Sequence, residues 1–129
     1  TGAAIAVTKT LPQLQGKFDG LSVRVPTPVV SLSDVTALLK RNVTVDEINQ
    51  AFRKAASDSF YQGILGISEE PLVSRDFIGN SHSGIVDLPL TKVVDGNLIK
   101  VMVWYDNEWG YSNRLVELVA DIGANIQRG

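Results

Sequence analysis

Residues 90–105 read LTKVVDGNLIKVMVWY and contain the clearest hairpin pattern in the sequence. Two runs rich in β-branched residues, 90–94 and 98–105, flank Asp95-Gly96-Asn97, a sequence typical of a tight β-hairpin turn. Side chains alternate along a strand, so the odd-numbered residues 99–103 share one face of the second run, and Lys100, Met102 and Trp104 share the other. The sequence therefore predicts an antiparallel hairpin here.

Three helices are predicted outside this hairpin. The first runs from Gly2 to Leu11 and ends at Pro12, with Thr1 as its N-cap. The second begins at Thr44, where Thr44 and Glu47 form a capping box, and continues to about residue 57. The last follows a polar loop at 106–110 and carries an apolar stripe typical of a helix that packs on a core. The stripe consists of Leu115, Leu118, Val119, Ile122 and Ile126.

Several short strands are predicted besides the hairpin: Leu21–Val25, Val29–Leu39, Gly63–Ile67, Leu72–Asp76 and Gly84–Asp87. Strands outnumber helices and are joined partly by tight turns. This order favours an α+β fold with a mixed, largely antiparallel sheet covered by helices. The hydrophobic pattern continues almost to the end of the chain, so residues 1–129 are expected to form one domain.

Composition excludes several classes of function. The 129 residues include 12 Lys and Arg against 14 Asp and Glu, a net charge of −2, so no nucleic-acid or membrane partner is expected. No apolar run is long enough to span a bilayer, and Thr1-Gly2-Ala3-Ala4 does not resemble a signal peptide. With no cysteine and one histidine, the chain offers no disulfide framework, thiolate metal site or cysteine nucleophile. No Gly-x-Gly-x-x-Gly fingerprint joins a strand to a helix.

Two places in the first part of the chain suit an anion. The helix start at Thr1 and Gly2 presents unpaired amides and the positive end of a helix dipole, although most such ends bind only water. Arg24 projects from the predicted strand, and its forked guanidinium pairs well with phosphate or carboxylate. The alternative is a surface arginine paired with a nearby carboxylate.

His82 is the only imidazole in the chain. A histidine can act as a general base. However, no cysteine is present for it to activate, and Ser81 and Ser83 are too close in sequence to imply a triad. We therefore expect a structural or turn histidine.

The loop at residues 105–113, YDNEWGYSN, is rich in side chains of the kinds that bind ligands or take part in catalysis. Asn107 can both donate to and accept from a carboxamide. Glu108 is suited to act as a general acid, a general base or a salt-bridge partner. The alternative is a capped turn in which Asp106 or Ser112 organises the start of the following helix.

Taken together, these segments resemble the C-terminal catalytic domain of the phosphorylating glyceraldehyde-3-phosphate dehydrogenase family. The matching pieces are TGAA at 1–4, LPQLQGK at 11–17, RVPTP at 24–28, PLVSRDF at 71–77 and WYDNEWGYS at 104–112. Their order and spacing agree with the family, and the likeness covers essentially the whole chain. The last run is highly specific.

The resemblance implies a mechanism. In the family a cysteine, activated by a histidine, attacks the aldehyde of glyceraldehyde 3-phosphate, a hydride passes to NAD or NADP, and inorganic phosphate releases 1,3-bisphosphoglycerate. Thr1 and Gly2 match the family's inorganic-phosphate loop, and Arg24 matches an arginine that contacts the substrate phosphate. The catalytic cysteine and histidine lie N-terminal to the stretch that Thr1 matches, and His82 does not align with the base.

The nicotinamide end of the family's site also has counterparts. Asn107 matches the asparagine that holds the carboxamide, while Glu108 and Tyr111 match residues that line this end. The resemblance further implies an N-terminal dinucleotide-binding domain, a homotetramer, glycolysis and a cytoplasmic location. This chain would then be a partial catalytic and oligomerisation domain, inactive alone.

Two alternatives remain. One is a parent enzyme that uses a related substrate such as erythrose 4-phosphate, because those dehydrogenases share the motifs. The other is that the chain, as an isolated piece, is a non-catalytic assembly module whose sheet face, with Lys100, Met102 and Trp104, lies between subunits.

Overall fold

A computed structural model describes residues 2–126, which fold into a four-stranded sheet with three α-helices. The helices are α1 (Gly2–Thr10), α2 (Val45–Ser57) and α3 (Trp109–Ile126), and the strands are β1 (Ser31–Leu38), β2 (Leu65–Ser68), β3 (Gly84–Val94) and β4 (Leu98–Tyr105). The sheet order is β1-β4-β3-β2; only β2 and β3 are parallel. The predicted α+β class with a mixed, largely antiparallel sheet is confirmed.

The hairpin at 90–105 is confirmed as β3 and β4. Asp95 and Gly96 both have positive φ, 49° and 77°, which is the backbone that a tight hairpin turn requires at its two central residues. Strand β3 joins the two predicted strands Gly84–Asp87 and Leu90–Val94 into one. Its pairing with β4 shifts between Asp87 and Lys92, around Pro89, which has no N–H to donate to a ladder.

Strand β1 lies at the edge of the sheet and pairs with β4 along its whole length. The register runs from Ser31 opposite Tyr105 to Leu38 opposite Leu98. This pairing places Ser31 at the end of β4, beside the polar loop that leads into α3.

Both faces of the sheet carry apolar clusters. On one face Ile48 of α2 packs with Val86, Leu88 and Val101. On the other face Val30, Phe77 and Ile85 are buried, with Trp104 packed against them. Helix α2 faces β2 and β3, so the first cluster joins the helix to the sheet.

The capping box predicted at the start of α2 is confirmed. Glu47 N–H donates to Thr44 Oγ1 at 3.2 Å, and Thr44 N–H donates to Glu47 Oε2 at 2.7 Å. The bond from the Thr44 amide, and next the one from the Arg41 guanidinium, lower the pKa of Glu47. Helix α1 ends at Thr10, just before Pro12, and its predicted N-cap Thr1 lies outside the described residues.

Two predicted strands are wrong. Leu21–Val25 is irregular and its apolar side chains are exposed, Leu21 by 82%. A strand needs a neighbour for its backbone groups, and no strand within residues 2–126 pairs with this segment. Leu72–Asp76 gives way to a 3₁₀ turn at Ser74–Phe77, because the Asp76 carboxylate accepts the Val73 N–H at 2.8 Å and provides a local alternative to sheet pairing.

Helix α3 forms as predicted, but its apolar stripe is not buried. The stripe residues from Leu115 onwards are exposed, up to 74% at Ile126. The first turns contact the rest of the described chain, through the buried Gly110 and the hydrogen bond from Arg114 to the carbonyl of Gly63. Within residues 2–126, none of the helices combines the length and apolar character needed to cross a lipid bilayer.

Candidate functional site

A cavity of about 210 Å³ lies where β4 ends and α3 begins. Its walls come from the end of β4, the polar loop, the first turns of α3 and the residue before β3. The lining residues are Ser83, Tyr105, Asp106, Asn107, Gly110, Tyr111 and Arg114. The cavity therefore gathers aromatic, amide and charged side chains at one end of the sheet.

Asp106 is the buried centre of the polar loop, only 3% exposed. Its Oδ1 accepts hydrogen bonds from the backbone N–H groups of Glu108 at 3.0 Å and Trp109 at 2.9 Å. Its Oδ2 accepts the N–H of Gly79, from a distant segment, at 2.8 Å. Burial raises the pKa of Asp106, but the three N–H donors outweigh burial and hold the pKa below its ordinary value. Asp106 thus organises the start of α3.

Asn107 lies beside this buried carboxylate and is itself exposed. The Ser31 hydroxyl donates to Asn107 Oδ1 at 3.3 Å, which leaves the Nδ2 group as a donor at the cavity. Tyr111 lines the same cavity and is exposed at its rim. Glu108 follows Asn107 but does not line the cavity.

The segment before β3 packs closely under α3. A Cβ added to Gly110 would lie 2.9 Å from the backbone oxygen of His82, so glycine allows the approach. His82 is held in a turn, because its N–H donates to Asn80 Oδ1 at 3.0 Å and its ring Nδ1 lies 2.8 Å from the same oxygen. This placement agrees with the expected structural histidine.

Arg114 belongs to the cavity but was not singled out from the sequence. Its Nη1 donates to the carbonyl of Gly63 at 3.0 Å, and Nη2 pairs with Glu117. Its Nε is buried and has no partner among the residues described. The sequence contains one indication that Arg114 belongs to the site. It follows Tyr111 by three residues, which places the two on the same helix face.

Comparison with known proteins places the chain in a family. A family model described as "Glyceraldehyde 3-phosphate dehydrogenase, C-terminal domain" matches residues 1–107. The chain belongs to this family. It is 49% identical over 126 residues to the glyceraldehyde-3-phosphate dehydrogenase of Zymomonas mobilis, which covers 98% of this chain and 37% of the relative. It is 52% identical over 124 residues to that of Geobacillus stearothermophilus, covering 96% and 37%. The chain thus spans a little over a third of these relatives.

In this glyceraldehyde 3-phosphate dehydrogenase C-terminal domain, the structure brings together only some of the predicted site residues. A second cavity, of about 310 Å³, is lined by Ala3, Ala4, β1 and the segment at 17–22. Tyr105 lines both cavities, so the start of α1 lies near the polar loop. Gly2 is exposed with open space around its Cα, and Thr1 lies outside the described residues.

Arg24 stands apart from both of these cavities. It is exposed in the irregular segment that was expected to be a strand, and it lines neither cavity. Its guanidinium makes no hydrogen bond or ion pair with another residue of the part of the chain that the structure describes. Over that same part, no three His, Asp or Glu side chains are grouped as a metal site would need.

Proposed function

We propose that this chain supplies the nicotinamide and phosphate contacts of a phosphorylating, NAD- or NADP-dependent glyceraldehyde-3-phosphate dehydrogenase. The intact enzyme would oxidise glyceraldehyde 3-phosphate with inorganic phosphate to 1,3-bisphosphoglycerate in glycolysis. The observation that supports this most is the exposed amide of Asn107 at the cavity, with its Oδ1 engaged by Ser31 and its Nδ2 able to donate.

The cavity suits one end of a dinucleotide. At about 210 Å³ it is smaller than the roughly 300–1,000 Å³ of pockets that enclose a complete small ligand. It would hold a single ring system, with Tyr105 and Tyr111 as its aromatic walls. A nicotinamide carboxamide carries an oxygen that can accept from Asn107 Nδ2.

When bound, the nicotinamide group supplies the hydride acceptor. The residues of this chain would bind that group and orient it. Asn107 would hold the carboxamide and so select the face of the ring that meets the substrate. Glu108 and Tyr111 would border this end of the site. An interaction that fixes ring orientation before reaction lowers the entropy cost of reaching the transition state.

The phosphate contacts belong to the same proposal. Arg24 would bind the phosphate of the substrate, and its exposed guanidinium, without a partner in residues 2–126, is available for that pairing. Thr1 and Gly2 would bind inorganic phosphate at the start of α1.

The chain contains no cysteine, so a cysteine-dependent oxidation needs residues from outside it. We therefore expect residues 1–129 to act as a single partial catalytic and oligomerisation domain, together with an N-terminal dinucleotide-binding domain. The exposed apolar stripe of α3 supports an assembled state, and a cytoplasmic homotetramer is the form we propose. Light scattering and cell fractionation test these two features.

A chimera tests the function directly. Residues 1–129 would replace the matching segment of the Geobacillus stearothermophilus enzyme, to which they are 52% identical. We expect NADH formation from glyceraldehyde 3-phosphate and phosphate by the chimera and none by the 129-residue chain alone. A chimera that prefers erythrose 4-phosphate would overturn the assigned substrate.

Two variants of the chimera test the residue roles. Asn107→Ala should raise the dissociation constant of the dinucleotide by about tenfold or more, the loss of one or two good hydrogen bonds. Asn125→Ala, on the exposed part of α3, is the matched control and should leave it unchanged. Arg24→Ala should weaken use of glyceraldehyde 3-phosphate far more than dinucleotide binding, and equal losses in both would count against its role.

A further inference from the structure

We infer that Asp106 is a positioning residue for the dinucleotide site: its carboxylate ties the Asn107 loop to Gly79 and thereby fixes where the Asn107 amide points. This inference rests on the proposed function, because it assigns the partner through which Asn107 is held. Asp106 borders the cavity but is only 3% exposed, and both of its carboxylate oxygens accept backbone N–H groups, so it acts through its neighbour.

The two carboxylate oxygens of Asp106 have separate tasks. Oδ1 accepts from Glu108 and Trp109 N–H and so closes the turn that contains Asn107. Oδ2 accepts from Gly79 N–H at 2.8 Å and joins that turn to a segment 27 residues away. The first pair of bonds gives the turn its shape, and the third fixes where the turn lies.

Gly79 is a firm anchor for this link. It has φ of 77° in the turn that follows the 3₁₀ turn, and the Asn80 N–H donates to the carbonyl of Phe77 at 3.1 Å across it. Phe77 is buried and its ring stacks on Trp104 of β4, with centroids 5.3 Å apart. The Gly79 N–H is therefore held by one of the two apolar clusters of the sheet.

Asn107 needs this support because little else holds it. Its side chain is exposed and has one hydrogen bond in the described structure, the bond from Ser31, which at 3.3 Å is longer than the usual range of about 2.5–3.0 Å for a hydroxyl donor. A contact that orients a ligand loses much of its effect when its own position is loose.

An Asp106→Asn substitution separates the two tasks. The amide oxygen can still accept from Glu108 and Trp109, so the turn keeps its shape. The amide nitrogen then faces the N–H of Gly79, and two donors cannot bond to each other. The link to Gly79 is lost, whereas the two bonds within the turn remain and lose only the strengthening effect of the charge.

The test is a double-mutant cycle in the active chimera, with the dissociation constant of NAD as readout. Asp106→Asn should raise this constant roughly five- to tenfold, the effect of about one lost hydrogen bond. In a chimera that already carries Asn107→Ala, the same substitution should change it less than about twofold, because a positioning residue has nothing left to position. Thr44→Ala, which lowers stability at the remote start of α2, is the control and should not affect NAD binding.

The outcomes distinguish the two proposals. If Asn107→Ala alone leaves NAD binding unchanged, the proposed function fails. If Asn107→Ala weakens binding but Asp106→Asn has no effect, or has its full effect in both backgrounds, the positioning role is overturned. Should Asp106→Asn not assemble, Asp106→Glu shifts the oxygens by one methylene group and is expected to show the same dependence on Asn107.

Discussion

The indole N–H of Trp104 donates a 3.0 Å hydrogen bond to Oδ2 of Asp87. Asp87 is 2% exposed, and its other oxygen has no partner among the residues described. The Trp104 ring also stacks on Phe77 at an interplanar angle of 15°. The Trp104 side chain therefore donates a hydrogen bond to a buried carboxylate through its N–H group and packs on an apolar cluster through its ring.

Trp104→Phe should destabilise the chain by about 1.5–3 kcal/mol, since it keeps an aromatic ring against Phe77 but leaves the buried Asp87 carboxylate without its donor. Urea unfolding followed by far-UV circular dichroism measures the change. Trp109→Phe is the matched control: Trp109 is 53% exposed, and its replacement should cost about 0.5 kcal/mol or less. Equal effects of the two substitutions would show that the Asp87 bond contributes little.

Thr44→Ala should cost about 1 kcal/mol, because it removes the side-chain acceptor for the Glu47 N–H at the start of α2. Chemical unfolding again provides the measurement. Thr10→Ala removes a hydroxyl that donates to the carbonyl of Ala6 in an exposed turn of α1 and caps no N–H group. A loss at Thr10 as large as that at Thr44 would contradict the importance of the capping box.

The lowered pKa of Asp106 predicts a contribution to stability that depends on pH. The folded state favours the ionised carboxylate, so this contribution is fully present above the ordinary pKa of about 4. It is lost as the pH falls through the lower folded pKa, where the group becomes protonated. Unfolding free energies of the wild-type chain and of Asp106→Asn should therefore differ most near neutral pH and converge in acid. A difference that stays constant down to about pH 2 would show that the carboxylate charge has no role.

Two glycines of α3 offer a matched pair of substitutions. Gly110→Ala should destabilise the fold and weaken dinucleotide binding in the chimera, because its new Cβ would lie 2.9 Å from the carbonyl oxygen of His82 and push the start of α3 outward. Gly123→Ala meets nothing within 4 Å and should stabilise the helix by about 0.5–1 kcal/mol. Thermal unfolding and NAD titration measure both effects. Stabilisation by Gly110→Ala would contradict the close packing on His82.

The elements that the sequence predicted correctly are those specified by neighbouring residues. The hairpin at 90–105 is indicated by side chains that alternate between the two faces of a strand and by the turn at Asp95 and Gly96. The start of α2 is indicated by the Thr44–Glu47 pair. Leu21–Val25 has an equally clear alternation, but a strand also requires a neighbour, and periodicity carries no information about partners. The same limit applies to α3, whose stripe predicts a helix but does not say whether anything covers it.

The features of the site also fall into those that the local sequence predicts and those that depend on contacts between distant residues. The polar loop was identified from its composition, and its position at the cavity follows from the order β4, loop, α3. The link from Asp106 to Gly79 spans 27 residues, and the contact of Arg114 with Gly63 spans 51, so neither leaves a local pattern in the sequence. Arg24 illustrates the converse, since its guanidinium suits an anion but the structure does not bring it to the cavity.

Because β1 pairs with β4, the nascent chain contains β1 without its partner strand for part of its synthesis. Strand β1 is complete at Leu38, yet the strand it pairs with begins only at Leu98, about 60 residues later. At about 5–20 residues per second, synthesis leaves β1 without its partner for roughly 3–12 s. During that time its backbone groups and apolar side chains are open to chaperones or to another nascent chain. Ribosome-bound chains that stop before β4 should therefore be cut by protease within β1, and chains that extend past α3 should resist.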